Sequence, residues 1–234
     1  MKKRVSIFIF FVFNCLCAAN AQTQIWRVHL NGNEYYPINA EEKGYYPILW
    51  YSSTEGRGVL LGGFGGGVSW TNTLKSKWDL KVQLNISRSR YYDEPAIFVD
   101  ENGQALGAAI GITTNLNATA LGIPKYSVAR WLDLGAGLGV HGTLLSKSDY
   151  GEAFIFGKKE NLKFTNKSLQ PVVLILPVEF TTYIGWRLSF SARAEFSLTK
   201  ISKIPYASDE RFMMLFVEVG YRFGKVPTVI HPAW

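Results

Sequence analysis

The feature that most constrains this chain is a strict alternation of apolar and polar residues over long stretches. In residues 77–87 one parity carries only large apolar side chains: Trp78, Leu80, Val82, Leu84 and Ile86. Residues 186–199 and 213–223 repeat the pattern. Because successive side chains of a β-strand point to opposite faces, each stretch predicts a strand with one apolar face and one polar face.

The length of these strands separates two classes of sheet. A soluble antiparallel sheet also has one wet face, but its strands usually have about five or six residues. The stretches here run to about 11–15 residues, whereas a tilted membrane-spanning strand needs about 9–11. Three further strands are predicted at residues 58–71, 131–145 and 170–183. A fourth, at residues 117–130, changes parity near Pro124, where we expect a bulge.

The connections alternate between short and long. Short links are predicted at residues 72–76, 130–131 and 184–185, and long polar loops at residues 93–116, 146–169 and 202–211. This order is typical of an outer-membrane barrel with short periplasmic turns and long extracellular loops. The sequence therefore predicts an all-β, closed antiparallel transmembrane β-barrel.

The predicted barrel has eight strands, because closed single-chain barrels of this kind have an even number and seven are already accounted for. The first strand must lie between residues 22 and 55. Residues 25–30 alternate well, and residues 44–53 are rich in aromatics but contain Pro47, which cannot donate to a ladder. Both positions for the first strand stay open.

The N-terminus predicts export. Lys2, Lys3 and Arg4 precede a short apolar run, and Ala19-Asn20-Ala21 supplies the small-x-small pattern of a cleavage site between Ala21 and Gln22. The predicted organisation is a signal peptide over residues 1–21, a barrel over 22–224 and a periplasmic tail over 225–234. Cys15 and Cys17 fall inside the signal peptide, so the mature chain has no thiol for a disulfide or a nucleophile.

Parity assigns the remaining polar and aromatic side chains to places in the barrel. The charged residues of lumen parity are predicted to form an ion-pair network that fills a narrow interior: Asp79, Lys81, Asp133, Glu179, Arg187, Arg193, Glu195, Glu218 and Arg222. The aromatic residues beside the short turns are predicted to form a periplasmic girdle: Trp70, Trp78, Trp186, Tyr221 and Phe223. Trp131 also lies beside a turn but has lumen parity.

Two runs of glycine share the lumen parity of their strands, namely Gly63, Gly65 and Gly67 on one and Gly135, Gly137 and Gly139 on another. One hypothesis is that they make room for the long Arg and Glu side chains of the last three strands. The alternative is that glycine merely permits strand curvature.

Several motifs together resemble a known family: Gly62-Gly63-Phe64-Gly65-Gly66-Gly67, Leu121-Gly122-Ile123-Pro124, Gly135-Ala136-Gly137-Leu138-Gly139 and Val219-Gly220-Tyr221-Arg222-Phe223. With the signal peptide, they look like the outer membrane protein beta-barrel domain family, common in Bacteroidetes-type bacteria. The resemblance covers roughly residues 58–223 and implies fold and location. It implies no shared catalytic residues, and the ten-residue tail after Gly224 departs from it.

Motifs for enzyme chemistry are weak. Gly137-Leu138-Gly139-Val140-His141-Gly142 matches a dinucleotide-binding pattern, but the strand pattern continues where a helix is required. His29, His141 and His231 are too scattered for a metal site. His141 shares a face with Asp133 and Thr143, which would suit a hydrolase in a barrel wall, although a hydrogen-bonded lumen histidine is the commoner case. We predict no catalytic residues, cofactor or metal, and therefore not an enzyme.

The charge of the chain excludes one class of partner. Its net charge is +7, and removal of the signal peptide leaves 22 basic against 18 acidic residues, which is no nucleic-acid signature. The expected partners are outer-membrane lipid and an extracellular ligand or protein at the loops, where residues 146–169 mix aromatics with lysines. Two functions stay open for a monomer: a structural or loop-binding barrel, and a narrow channel or porin-like transporter of small solutes.

Overall fold

The computed structural model describes residues 24–38, 62–75, 77–99, 105–155, 158–165, 169–201 and 211–223. Over these residues the chain forms ten β-strands: β1 Gln24–Ile38, β2 Gly63–Lys75, β3 Trp78–Val99, β4 Ala105–Ala129, β5 Leu132–Ala136, β6 Leu138–Ile155, β7 Lys158–Thr165, β8 Val173–Ile184, β9 Leu188–Ser197 and β10 Arg211–Phe223. None of the described residues belongs to a helix that is long and apolar enough to cross a bilayer.

The strands close into an eight-stranded antiparallel barrel. β1 to β4 pair in sequence order, as do β8 to β10, and β1 pairs with β10, which closes the ring. β5 and β6 are two parts of one barrel strand interrupted at Gly137, because both pair with β4 on one side and β8 on the other. β7 pairs with the outer part of β6. The predicted all-β closed barrel of eight strands is confirmed.

The alternation in the sequence corresponds to side chains that point alternately into the lumen and out from the barrel wall. In β3, Gln83 is completely buried whereas its neighbour Leu84 is 55% exposed. The same contrast of burial follows the other barrel strands, so mainly polar side chains and some apolar ones fill the lumen, and apolar side chains cover the outer wall. This is the reverse of a soluble barrel, in which the apolar side chains are enclosed.

The first strand is β1, so the alternating segment at residues 25–30 is the correct one of the two candidates. Pro37 lies within β1, next to the last residue of the strand, and pairs opposite Phe212. The other candidate, residues 44–53, lies outside the described residues, as do Ala21, Gln22 and the tail 225–234.

Most residues of two predicted long loops form paired β-strands. β3 and β4 continue as a paired hairpin from Tyr92 opposite Ile112 to Val99 opposite Ala105, within the predicted loop 93–116. β6 and β7 form a second hairpin within residues 146–169. Pairing satisfies backbone N–H and C=O groups that an irregular loop would leave to solvent. The predicted loop 202–211 lies almost wholly outside the described residues.

The bulge expected near Pro124 is absent from the β3–β4 ladder, where the register runs without a shift from Trp78 opposite Tyr126 to Tyr92 opposite Ile112. The parity does not change either, because Leu121 and Ile123 are lumen side chains. Two apolar residues on the inner face produced the apparent change in the sequence. Pro124 itself faces outwards.

Candidate functional site

The two ends of the barrel differ, and we name them by their connections. The short-turn end carries the β2–β3, β4–β5 and β8–β9 turns together with Gln24 and Phe223, and the hairpin end carries the β3–β4 and β6–β7 hairpins. The positive φ of 62° at Gly185 fits the tight β8–β9 turn, since glycine adopts this region without a Cβ clash. The lumen and the hairpin end hold the candidate functional side chains.

The residues of the predicted girdle all lie at the short-turn end. Trp78, Tyr221 and Phe223 are exposed on the outer wall, and Trp70 is half-buried there. Trp186 is half-buried in the β8–β9 turn. Two aromatics that sequence reasoning missed join them: Trp26 stacks on Trp70 with ring centres 6.3 Å apart, and Tyr126 lies 5.1 Å from Trp78.

The centre of the lumen holds a cluster of buried ion pairs, which we call the central charge cluster. It contains four basic and four acidic side chains: Arg27, Lys81, Lys125, Arg193, Asp133, Glu179, Glu195 and Glu218. All eight are buried, so each charge depends on a partner within the protein. The balance of signs supplies those partners.

One half of the central charge cluster is organised around Glu179 of β8. Lys81 Nζ lies 2.6 Å from Glu179 Oε2, and Lys125 Nζ lies 3.2 Å from Glu179 Oε1. Lys125 also lies 3.7 Å from Asp133, and Asp133 accepts a short hydrogen bond from the hydroxyl of Tyr183. The carboxylate of Glu179 therefore joins strands β3, β4 and β8 across the lumen.

The other half is organised around Arg193 of β9. Its Nε donates to Glu195 Oε1 at 2.8 Å and its Nη1 to Glu218 Oε1 at 2.5 Å. Arg27 approaches Glu218 from the other side, with Nη2 3.1 Å from Oε2. Gln83 adds a hydrogen bond to Glu218 at 2.9 Å. Arg193 and Glu179, 3.8 Å apart, connect the two halves.

Not every predicted member of the network joins this cluster. Lys81, Asp133, Glu179, Arg193, Glu195 and Glu218 are brought together as described above. Arg187 is not, because it lies in the β8–β9 turn, where its exposed guanidinium reaches Tyr221. Arg222 stacks over Tyr183 at the short-turn end, and Asp79 is half-buried near the same end of β3.

Arg27 and Lys125 belong to the central charge cluster but were not predicted. Arg27 escaped because the position of the first strand was open. Lys125 escaped because Leu121 and Ile123 precede it on the same face and hide the polar parity. Arg27 could have been found from the alternation Trp26, Val28, Leu30 against Arg27 and His29.

An aromatic layer lies in the lumen between the central charge cluster and the hairpin end. Tyr35 stacks on Tyr91 with ring centres 4.7 Å apart and on Phe212 at 5.5 Å. His141 packs against Phe212 at 4.9 Å. Phe216, Met214 and Ile175 are fully buried in the same apolar group. The lumen parity of Phe212, Met214 and Phe216 was a signal that could have predicted this layer.

The glycines of the two runs do not make room for the long Arg and Glu side chains of the last three strands, because none of those side chains is among the atoms nearest to an added Cβ. A Cβ on Gly67 would collide with the carbonyl oxygen of Leu84, and one on Gly137 would collide with that of Gly122. These glycines let neighbouring backbones approach closely, which is the curvature alternative. Gly220 and Gly135 do lie against basic side chains, because a Cβ on Gly220 would meet Arg27 Cδ at 2.6 Å and a Cβ on Gly135 would meet Lys125 Cγ at 3.1 Å.

The β6–β7 hairpin has its own aromatic and ionic contacts. Tyr150 packs across Gly111 and lies 5.9 Å from the ring of Phe164. Lys163 pairs with Asp149 at 3.1 Å on the exposed surface. The backbone N–H of Gly151 donates to Asp149 at 3.0 Å, and this bond, with Lys163, lowers the pKa of the Asp149 carboxyl. The hairpin thus presents aromatic and charged groups on a paired backbone.

Metal-binding groups do not come together in the described residues. No three His, Cys, Asp or Glu side chains of the ranges above are arranged to hold a metal ion. His141 contacts Thr119 through Nδ1 at 3.4 Å and packs on Phe212, which fits a buried histidine in a packed wall.

Comparison by sequence identifies no relative. No protein-family model matches the chain, and no curated protein matches it. The resemblance to the outer membrane protein beta-barrel domain family therefore stays a prediction.

Comparison by structure finds small outer-membrane β-barrel proteins. Ail, the attachment invasion locus protein of Yersinia pestis, is 12% identical with a TM-score of 0.44 over 86% of this chain and 97% of that chain. Neisserial surface protein A is 10% identical with a TM-score of 0.40 over 86% and 97%. The outer membrane protein OprG from Pseudomonas aeruginosa is 10% identical with a TM-score of 0.41 over 86% and 96%.

Proposed function

We propose that this chain is an integral protein of the bacterial outer membrane, with a lumen closed by its own side chains, that acts by binding through the hairpins beyond the barrel. The observation that carries the proposal is the central charge cluster, in which buried ion pairs join strands from all sides of the lumen. The proposal assigns the chain no catalytic step.

The outer wall supports the membrane location. Large apolar side chains are exposed there from end to end, from Ile184 at the short turns to Phe64 near the hairpins. A water-soluble protein rarely exposes a continuous apolar surface of this size, whereas a membrane barrel requires one. The aromatic residues at the short-turn end fit the level of lipid headgroups, where Trp and Tyr collect.

The filled lumen favours a closed barrel over a channel. An eight-stranded barrel is just wide enough for its side chains to fill. Arg193, Glu195 and Glu218 have no side-chain surface exposed to solvent. The aromatic layer of Tyr35, Tyr91 and Phe212 lies between these charges and the hairpin end. A solute crossing the lumen would have to displace buried, mutually paired charges, which is costly.

The long strands support a binding role at the hairpin end. β3 and β4 have 22 and 25 residues, whereas β8 and β9 have 12 and 10. A membrane-spanning strand needs only about 9–11 residues, so the longer pair reaches well beyond the bilayer. Backbone pairing gives these hairpins a fixed shape, and ordering a ligand surface in advance lowers the cost of binding.

The proposal includes the sides of the membrane and the partners. The short turns and residues 225–234 face the periplasm, the hairpins face the outside, and residues 1–21 are removed after export. The chain acts as a monomer in contact with outer-membrane lipid, and an extracellular ligand or protein binds at the β6–β7 hairpin, where Tyr150 and Phe164 accompany Lys163.

Conductance across planar lipid bilayers tests the closed lumen. The refolded barrel should insert, as judged by its resistance to protease in vesicles, and should give no steady open-channel steps. Steady steps would overturn the closed lumen and favour the narrow transporter. In that case Glu218→Gln, which removes a lumen charge, should change the selectivity of the steps between cations and anions.

A further inference from the structure

Two arginines differ from the fully buried cations of the barrel. Arg27, Lys81, Lys125 and Arg193 each lie within 4 Å of a carboxylate. Arg187 and Arg222 have no such partner among the described residues, and both lie at the short-turn end. The sequence predicted both in the lumen network. In the structure neither arginine belongs to the central charge cluster, in which four basic and four acidic side chains balance without them.

Aromatic groups hold the two guanidinium groups in place. Arg187 donates to the hydroxyl of Tyr221 at 2.7 Å, and its guanidinium lies 5.7 Å from the centre of that ring. Arg222 lies 3.6 Å from the ring centre of Tyr183 and 5.4 Å from that of Trp186. The backbone N–H of Arg222 donates to the carbonyl of Arg187 at 2.8 Å, so the two residues are neighbours between the β8–β9 turn and the end of β10.

The surroundings of Arg187 on the outer wall are apolar. Tyr221 pairs opposite Leu188, and Leu188 pairs opposite Ile184. Ile184, Leu188 and Phe223 are all exposed outwards, and Phe223 lies 5.0 Å from Tyr221. A cation at the edge of an exposed apolar wall matches a ligand with an anionic head and an apolar tail.

We propose that Arg187 and Tyr221 bind the phosphate headgroup of an anionic glycerophospholipid in the inner leaflet, while Leu188, Ile184 and Phe223 contact its acyl chain. A planar guanidinium binds phosphate through paired hydrogen bonds, and Tyr221 holds it in position. Arg222 adds positive potential at the same end. This inference rests on the proposed membrane location.

Native mass spectrometry of the folded barrel in detergent tests the site. Phosphatidylglycerol and phosphatidylcholine with identical acyl chains are added in equal amounts. One surface cation contributes about fivefold in affinity for anionic lipid, so the wild type should retain phosphatidylglycerol about fivefold more than phosphatidylcholine. Arg187→Gln should remove most of this preference, and Tyr221→Phe should reduce it.

Lys147→Gln is the matched control, because Lys147 is an exposed cation on β6 at the hairpin end. It should leave the preference unchanged. Equal retention of the two lipids by the wild type, or equal effects of Arg187→Gln and Lys147→Gln, would overturn the lipid site. Excess glycerol 1-phosphate should displace bound lipid less effectively than intact phosphatidylglycerol does. If the two compete equally, the site binds a phosphate group alone and the proposed acyl contacts are wrong.

Circular dichroism and heat-modifiable mobility in gel electrophoresis show whether the barrel folds, and they separate this proposal from the proposed function on which it rests. A chain that forms no barrel in detergent would overturn the membrane location and the lipid site together. A folded barrel without a lipid preference would overturn the lipid site alone and leave the proposed function in place.

Discussion

Arg193 donates to Glu218 at 2.5 Å between two adjacent strands, and neither side chain exposes any surface to solvent. The guanidinium of Arg193 also lies 4.5 Å from the centre of the Phe216 ring, so it connects the central charge cluster to the aromatic layer. Burying two charges is expensive, but removing only one leaves the other without compensation, which is worse. Loss of the Arg193 side chain alone should therefore destabilise the interior strongly.

Arg193→Met tests this expectation. Methionine keeps much of the apolar volume but leaves Glu195 and Glu218 without their main partner, so we expect a loss of about 3–5 kcal/mol in the free energy of unfolding. Urea unfolding of the protein in lipid vesicles measures it. The control is Lys163→Met, which breaks the exposed pair with Asp149 and should cost at most about 1 kcal/mol. Similar losses in both variants would contradict the central role of Arg193.

Gly220→Ala tests a lumen glycine that lies against the charged side chain of Arg27. The new methyl group would lie 2.6 Å from Arg27 Cδ and 2.8 Å from Ser189 Oγ. Arg27 cannot move away freely, because it donates to Ser69, Ser189, Ser191 and Glu218. We expect a loss of about 1–3 kcal/mol in unfolding free energy, as for other overpacked interiors.

Gly32→Ala is the control for Gly220→Ala, since a methyl group on that outward-facing glycine would have no other atom within 4 Å. Alanine there should be neutral or should stabilise the barrel by less than about 1 kcal/mol, because it restricts the unfolded chain. A barrel that tolerates Gly220→Ala as well as Gly32→Ala would show that the packing around Arg27 is loose.

The sides of the membrane can be tested on intact cells. Protease or antibody should reach an epitope inserted at residues 156–157, between β6 and β7, but not one at the β2–β3 turn or in the tail 225–234. The reason is the orientation expected of outer-membrane barrels, with short turns in the periplasm. Permeabilised cells supply the positive control for the hidden epitopes. Labelling of the tail in intact cells would reverse the proposed orientation.

Strand positions could be predicted from the sequence wherever one face was uniformly apolar and the other polar. In β3 the series from Trp78 to Ile86 indicated both the strand and its inward face. The alternation was misleading at β4, where Leu121 and Ile123 face the lumen. Alternation alone cannot distinguish an apolar lumen residue from a register shift. It also could not foresee that β3 and β4 continue as a paired hairpin, since pairing beyond the bilayer requires no alternation.

Part of the lumen network could be predicted as a set of residues, but its contacts could not. Parity alone identified Glu179, Arg193 and Glu218, whereas their distances depend on strand tilt and register. Parity also placed Arg187 in the lumen, yet its position in a turn frees it from the two-residue period of a strand. Parity was therefore a sound guide to most of the central charge cluster, and it lacked the information that Arg187 lies in a turn.

The last prediction compares the same substitution at two depths of the outer wall. Leu84 lies six residues from the start of β3, or about 20 Å along the strand. At a tilt of about 40° this is near the middle of a bilayer core about 30 Å thick. Ile184 lies at the end of β8 beside a short turn, and both side chains point outwards, 55% and 61% exposed.

Leu84→Arg should cost about 2–4 kcal/mol in the free energy of unfolding, and Ile184→Arg at most about 1 kcal/mol, because lipid tolerates arginine only near its interfaces. Urea unfolding in vesicles of one lipid composition measures both. In water-soluble detergent without a bilayer the difference should shrink, since the depth of the hydrocarbon is no longer defined. Equal costs in vesicles would mean that the outer wall does not span a bilayer at this position, and the membrane location would have to be abandoned.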